Sequence, residues 1–155
     1  MQEILKVMNA VKYFGNGSVT TRALDGVSFT MEKGEFVAVM GPSGSGKSTL
    51  LNVIATIEPL SGGEILVDGA PVSALGEKEL AAFRRDKLGF IFQEYNLLDT
   101  LTVEENIALP LNLRKAGPGE TRGKVLEVSE ALGVTDQLKK FPAELSGGQR
   151  QRVAC

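Results

Sequence analysis

The sequence predicts an α/β fold on three observations. Two continuous apolar runs, at residues 36–40 and 88–92, are typical of strands buried on both faces of a sheet. A glycine-rich loop follows the first run and leads into apolar residues at helical spacing. From about Thr100 onward the spacing of apolar residues is that of helices.

The first part of the chain, residues 1–93, alternates strand-like and helix-like segments. Strands are predicted at residues 4–7, 27–31, 36–40, 63–67 and 88–92. A turn-rich stretch over residues 15–18 separates the first two strands, and Asp68 with Gly69 forms a turn after the fourth. A helix is predicted between the glycine-rich loop and Pro59, and another over residues 77–85.

The second part, residues 94–155, is predicted to be helical. Thr102 with Glu105 three residues later is a capping box that begins a helix, which Pro110 should kink or end. A loop is predicted at residues 116–119, and the amphipathic helix after it ends at Gly133.

The composition excludes several classes of function. The 155 residues include 17 lysines and arginines against 19 aspartates and glutamates, without a basic cluster, which argues against nucleic acid as the partner. No apolar run reaches the ~18 residues of a membrane-spanning helix. Histidine is absent, so histidine-based catalysis or metal binding is excluded within this chain, and the one cysteine fits a reducing compartment.

A phosphate-binding loop is the strongest motif. Residues 41–48 match the pattern GxxxxGK[ST] between a predicted strand and a predicted helix. Glycines let successive N–H groups face a phosphate, and the positive end of the following helix adds to the attraction. Lys47 would contact the β- and γ-phosphates, and the Ser48 hydroxyl would bind Mg²⁺. The residues expected to bind ATP here are Gly41, Pro42, Ser43, Gly44, Ser45, Gly46, Lys47, Ser48 and Thr49.

A second anion-binding motif precedes the last predicted helix. It is the sequence LSGGQ, formed by Leu145, Ser146, Gly147, Gly148 and Gln149. Ser146 can cap a helix that begins at Gly147, and the two glycines leave the first N–H groups of that helix accessible. The two motifs together are far more specific than either alone.

With both motifs, the chain resembles the ATP-binding domain of ABC transporters, whose signature is LSGGQ. The resemblance implies a phosphate-loop NTPase core with an N-terminal antiparallel β subdomain and a helical subdomain that carries the signature. It also implies a head-to-tail dimer, in which residues 145–149 of one copy close over the γ-phosphate of the ATP held by the other copy. ATP hydrolysis with Mg²⁺ is the implied activity.

Two more site residues follow from the resemblance alone. Gln93 lies at the position of the family's Q-loop glutamine, which would reach Mg²⁺ and the attacking water, so Gln93 joins Lys47 as a catalytic candidate. The family also stacks adenine on an aromatic ring near the N-terminus. Counting back from Leu24 favours Phe14, with Tyr13 as the alternative, and either ring could simply belong to the core.

Residues 92–107 resemble the branch that serves macrolide export, lipoprotein release, cell division and antimicrobial-peptide export. In this family a membrane-spanning permease subunit docks after the Q-loop, so Tyr95, Leu97 and Leu98 are either interface residues or buried core. The resemblance implies a cytoplasmic subunit at the inner face of the cell membrane. It would couple ATP hydrolysis to export or extraction of a peptide, lipid-linked or drug-like substrate.

Part of the family's domain has no counterpart in residues 1–155. The Walker B aspartate, the general-base glutamate and a switch histidine would follow Cys155, so we expect one incomplete domain that lacks the C-terminal part of the core sheet. The two apolar runs would then expose their edges, and the chain alone would hydrolyse no ATP and fold poorly. A nucleotide-binding fragment without catalysis and a soluble non-transport ABC ATPase are the alternative functions.

Overall fold

The computed structural model describes residues 2–15 and 20–155, and the chain divides into two compact units. The units are Met1–Arg84 and Arg85–Cys155. The boundary falls inside helix α2 (Glu77–Lys87). Among the described residues, no helix combines the length and the apolar character needed to cross a membrane.

An antiparallel sheet forms the frame of the first unit. Its described strands are β1 (Glu3–Phe14), β2 (Thr21–Glu32), β3 (Gly62–Val67) and β4 (Ala70–Pro71), in the order β2-β1-β3-β4. The strands predicted at residues 4–7, 27–31 and 63–67 are confirmed, although β1 and β2 are longer than predicted. Residues 16–18 of the predicted turn lie outside the described residues.

The turn between β3 and β4 is confirmed. Asp68 has φ 51° and Gly69 has φ 76°, so both central residues have the positive φ of a type I′ turn. This turn has the twist that suits a two-residue hairpin connection.

The core of the first unit lies between the sheet and helix α1 (Lys47–Ile54). Leu50 and Val53 of α1 pack with residues of the three longer strands. An irregularity in β1 at Asn9, where φ is 47°, places Val7 and Ala10 in the same core despite their odd spacing. The packing holds the start of α1, and with it the phosphate loop, against β2.

The predictions of buried strands at residues 36–40 and 88–92 are wrong for this structure. Neither run is a strand; Phe36 is 95% exposed and Met40 is 88% exposed. A strand exists only through hydrogen bonds to a neighbouring strand. The described strand pairings are β1 with β2, β1 with β3 and β3 with β4, all within the antiparallel sheet. No strand in the described part of the chain pairs with these runs, so Phe36 and Met40 stay exposed.

The second unit contains helices α3 (Val103–Leu113), α4 (Pro118–Ala131) and α5 (Gly147–Ala154). Short 3₁₀ turns lie at Val72–Ala74 in the first unit and at Thr135–Gln137 and Pro142–Glu144 here. The core residues of this unit are apolar, namely Val103, Ala108, Val125, Val134, Leu138, Leu145 and Val153. The core therefore joins all three helices and the segment before α5.

The predicted helix boundaries of this unit are largely confirmed. The Thr102–Glu105 capping box is present at the start of α3, and Gly133 follows α4 with φ 63°. Pro110 does not end α3, which continues to Leu113. The loop predicted at residues 116–119 is wrong at its second half. Pro118 begins α4, because proline at the first helical position has the required φ and lacks an N–H that would go unpaired.

Candidate functional site

The phosphate loop is closed by the side chain of its own lysine. Lys47 Nζ donates to the carbonyl oxygens of Gly41 at 3.0 Å and Pro42 at 2.7 Å, and it lies 3.4 Å from Ser45 Oγ. The N–H of Ser45 donates to the Pro42 carbonyl at 3.3 Å, which forms a turn inside the loop. The ammonium group is thus held across the mouth of the loop, where an anion would enter.

The N-terminus of α1 supplies the other half of this anion site. The N–H of Leu50 donates to the Gly46 carbonyl at 2.8 Å, and the N–H groups of Lys47, Ser48 and Thr49 precede that bond. Helix geometry leaves these first donors without acceptors inside the helix, and no side chain caps α1. The Ser48 hydroxyl is exposed at the same place.

Gly46 permits this arrangement because it combines a positive φ with a close backbone contact. Its φ is 88°, and a Cβ at this position would lie 2.3 Å from the carbonyl oxygen of Ala23 in β2. A side chain cannot fit there, so the last glycine of the motif allows α1 to start directly on the sheet.

The signature motif begins α5 as the sequence predicts. Ser146 Oγ accepts from the N–H of Gln149 at 3.3 Å, and Gln149 Oε1 accepts from the N–H of Ser146 at 2.8 Å. Gly147 and Gly148 are exposed at the first two helical positions, where N–H groups lack intrahelical acceptors. Leu145 differs from its predicted place in a nucleotide contact: its side chain is buried, and it anchors the motif in the core.

Gln93 is exposed in a turn that the N–H of Tyr95 closes by donating to the Phe92 carbonyl at 3.0 Å. Tyr95 and Asn96 both have positive φ, at 63° and 48°. The glutamine therefore sits on a tight irregular segment, not at the end of a strand.

Asn106 of α3 fixes the segment that follows Gln93, and no sequence motif predicted this role. Asn106 Oδ1 accepts from the N–H of Leu98 at 2.8 Å. Its Nδ2 donates to the carbonyls of Leu98 at 3.1 Å, Leu101 at 3.1 Å and Thr102 at 2.9 Å. Asparagine is unfavourable inside helices because its side-chain amide competes for backbone hydrogen bonds. Its place inside a helical pattern was therefore the sequence signal for a side-chain contact with the backbone.

A mostly apolar cavity of about 450 Å³ lies within the second unit beside this segment. Tyr95, Leu97 and Leu98 all line it, together with residues of α3, α4 and α5. Leu97 also packs against the core, whereas Leu98 is 46% exposed. The core alternative therefore fits Leu97, and the interface alternative for Tyr95 and Leu98 stays a prediction.

Phe14 and Tyr13, the two candidate adenine platforms, lie at the end of β1 and each has a cation beside it. Lys12 Nζ is 4.9 Å from the centre of the Phe14 ring, and the Arg22 guanidinium is 5.5 Å from the centre of the Tyr13 ring. Both rings are partly exposed, Phe14 at 41% and Tyr13 at 38%. Phe14 shares the first unit with the phosphate loop, and Gln93 shares the second unit with the signature.

Residues 24–155 match the family model described as ABC transporter. The match covers most of the chain, including both glycine motifs and Gln93. The chain belongs to the ABC transporter family.

The relatives of this ABC transporter ATP-binding domain include proteins named for export and proteins named for import. The bacitracin export ATP-binding protein BceA of Halalkalibacterium halodurans is 50% identical over 152 residues, which are 98% of this chain and 60% of that protein. The methionine import ATP-binding protein MetN of Rhizobium johnstonii is 43% identical over 152 residues, 98% of this chain and 41% of that protein. The family membership therefore leaves transport direction and substrate undetermined.

A solved ABC structure shares the fold. The dimeric post-hydrolysis structure of the ATP-binding cassette MJ0796 bound to ADP and Pi is 40% identical, with a TM-score of 0.92, over 97% of this chain and 67% of that one. This likeness confirms the predicted fold class. The chain spans about 60% of the length of curated relatives such as BceA.

Proposed function

We propose that this chain is part of an ATP-binding subunit that powers a membrane transporter by hydrolysing ATP between two copies packed head to tail. One observation carries the proposal: each of the two units presents an accessible helix N-terminus with glycine at or next to its first residue. In the first unit it is the start of α1 with Lys47, and in the second it is the start of α5 after Ser146. Accessible N–H groups and the positive helix end favour a phosphate at each.

In this proposal the loop of residues 41–49 binds the triphosphate of ATP. Lys47 neutralises the β- and γ-phosphates, and it exchanges its present carbonyl partners for phosphate oxygens, which are stronger acceptors. The exposed Ser48 hydroxyl and the Gln93 amide oxygen are hard oxygen donors of the kind that Mg²⁺ takes, so these two residues would hold the metal. Mg²⁺ would neutralise charge on the phosphates, and Gln93 would orient the attacking water.

The signature would contact the ATP of the partner copy. The lone pairs of Ser146 Oγ serve the helix cap, so the hydroxyl proton is free to donate to a γ-phosphate oxygen. The exposed N–H groups of Gly147 and Gly148 add two donors. Leu145 keeps these donors in place from the core, without touching nucleotide.

The transported substrate is proposed from the named relatives. BceA is named for bacitracin export, which supports an exporter of antimicrobial peptides or of drug-like or lipid-linked molecules. The apolar cavity beside the Gln93 segment is the surface proposed to receive a cytoplasmic helix of a permease subunit. Such a subunit would hold the chain at the inner face of the cell membrane.

We also infer that the 155 residues alone do not hydrolyse ATP. Phosphoryl transfer to water requires a positioned nucleophile and a metal held from more than one side. The two residues proposed to hold Mg²⁺, Ser48 and Gln93, carry neutral oxygens, and neither side chain is a general base for the attacking water. Nucleotide binding without turnover is therefore the activity expected of these residues by themselves.

The dimer proposal can be tested by mixing two labelled variants, Lys47→Ala and Ser146→Arg. Neither variant by itself should dimerise when ATP is added, since each composite site combines a loop from one copy with a signature from the other. The mixed dimer contains one intact composite site, so ATP should restore dimers that hold one nucleotide each, as measured by sedimentation and retained radiolabel.

In the matched control, one copy carries both substitutions and is mixed with the wild-type protein. The mixed dimer then has no intact composite site and should retain no ATP. If the signature instead served the ATP of its own copy, the two mixtures would give the opposite results, and the head-to-tail arrangement would be rejected.

A further inference from the structure

We propose that Lys12 is a positioning residue for the base of the bound nucleotide, which it serves by holding the Phe14 ring as a stacking platform. The proposal rests on the ATP binding proposed above and adds a residue that neither glycine motif contains. Lys12 was not singled out from the sequence, because a lone lysine in a strand carries no motif.

Lys12 is unusual because it is a buried cation with a fixed position. Its side chain is 8% exposed, and Nζ lies 3.0 Å from Glu58 Oε2 and 2.8 Å from the Pro59 carbonyl oxygen. A lysine amine left without partners at this depth would be costly, so two acceptors hold it. The same Nζ lies 4.9 Å from the centre of the Phe14 ring.

The contacts of Lys12 link the ring to the phosphate-binding helix. Glu58 and Pro59 lie in the connection that follows α1, and α1 begins at the phosphate loop. A single ammonium group therefore ties the last residue of β1 to the segment that leaves this helix.

The sheet face that carries Lys12 is the face on which the phosphate loop packs. Lys12 is paired directly with Leu24 of β2, and residues opposite each other on antiparallel strands share a face. Leu24 Cδ2 would lie 3.3 Å from a Cβ at Gly46, so this face contacts the loop. The Phe14 ring lies beside Lys12 on this face, since Nζ of Lys12 is 4.9 Å from the centre of the ring.

The ammonium also changes the ring electronically. A cation over one face of an aromatic ring draws π density toward itself, which makes the opposite face less negative. A purine is an electron-rich π system, so it stacks with less repulsion on a ring polarised in this way. Phe14 is 41% exposed, which leaves ring surface available for a base.

The test compares ATP with inorganic tripolyphosphate, which contacts the phosphate loop but has no base. In the protein with Lys12→Met, we expect the preference for ATP over tripolyphosphate to fall about threefold to tenfold, with tripolyphosphate affinity unchanged. The matched control is Arg22→Met, which removes the cation beside Tyr13 and should leave the preference unaltered. Titration calorimetry measures both affinities.

Each other result rejects the proposal. An equal fall in the affinities for ATP and tripolyphosphate in Lys12→Met would mean that the lysine only supports the fold. A fall in the preference for ATP that is confined to Arg22→Met would identify Tyr13 as the platform. Tripolyphosphate binding without any preference for ATP in the wild type would reject the platform but keep the phosphate site. Absence of binding to either ligand would instead reject the proposed nucleotide binding itself.

A milder variant keeps the test valid if Lys12→Met unfolds. Glu58→Gln leaves the ammonium and the Pro59 contact in place and weakens one anchor. We expect a smaller fall in the ATP preference, about twofold, at an unchanged melting temperature. An unchanged preference in a folded Glu58→Gln protein, together with unfolding of Lys12→Met, would reject a positioning role.

Discussion

Gly46 shows how one missing side chain sets the geometry of the phosphate loop. Gly44 and Gly46 both have positive φ, at 79° and 88°, but their surroundings differ. A Cβ at Gly44 would meet nothing within 4 Å, whereas one at Gly46 would overlap the Ala23 carbonyl. A comparison of these two glycines therefore distinguishes the cost of backbone strain from the cost of steric overlap within the same loop.

We predict that Gly46→Ala destabilises the protein more than Gly44→Ala does. Gly44→Ala carries only the strain of a positive φ, about 1 kcal/mol in the free energy of unfolding. Gly46→Ala adds a backbone overlap that must move α1 or β2, for a total above about 3 kcal/mol. Urea denaturation of both variants checks this, and equal losses would show that the loop is not fixed against β2.

Single residues were predictable from the sequence where a motif fixes their local geometry. Lys47 and Ser146 are such cases, because the turn and the cap involve residues within six positions along the chain. Lys12 was not predictable, since its partners Glu58 and Pro59 come from a segment brought near it only by the folded sheet and helix.

At the scale of elements, α3 depends on the capping box at its first turn. The N–H of Thr102 donates to Glu105 Oε2 at 2.7 Å and its hydroxyl donates to the same atom at 2.9 Å. These bonds, the backbone bond first, lower the pKa of the Glu105 carboxyl below its ordinary value. The carboxylate form is therefore favoured in the folded state.

We predict that Glu105→Gln destabilises the protein at neutral pH and has no effect in strong acid. A carboxyl whose pKa is lowered by folding contributes stability above its unfolded pKa, about 4.3 for glutamate, and loses it as the pH falls through the lower folded value. Urea denaturation at pH 7 and at about pH 2 measures the difference in the free energy of unfolding between variant and wild type. Glu104→Gln is the control, because Glu104 lies in the same helical turn without a role in the cap.

The cap itself gives a companion prediction of known size. Thr102→Ala removes the oxygen that accepts from the N–H of Glu105 at 3.3 Å. We expect a loss of about 1 kcal/mol in the free energy of unfolding at pH 7. A loss near zero in the same urea experiment would mean that α3 begins through core packing of Val103 alone.

Helices were predicted better than strands for a physical reason. The start of α3 at Val103 and the end of α4 before Gly133 are determined by neighbours within a few residues. The runs at residues 36–40 and 88–92 have the composition of buried strands, but a strand also requires a partner from elsewhere in the chain. Local pattern alone could not supply that partner.

At the scale of the whole molecule, the exposed run at residues 36–40 leads to a prediction about the isolated chain. Phe36 at 95% and Met40 at 88% exposure flank three further apolar residues, and unpaired apolar backbone of this kind templates aggregation. We expect the 155 residues alone to sediment in part as oligomers. Phe36→Glu together with Met40→Glu should raise the monomer fraction severalfold.

The same isolated chain should show no ATP turnover that depends on Lys47, even where it binds nucleotide. Gln93 and Ser48 are the oxygen donors proposed for Mg²⁺, and the chain contains no histidine that would help to position a water. Phosphate release from the wild-type chain should therefore equal that from Lys47→Ala, with Ser73→Ala as a surface control. Turnover that Lys47→Ala abolishes would show instead that these residues are sufficient for hydrolysis.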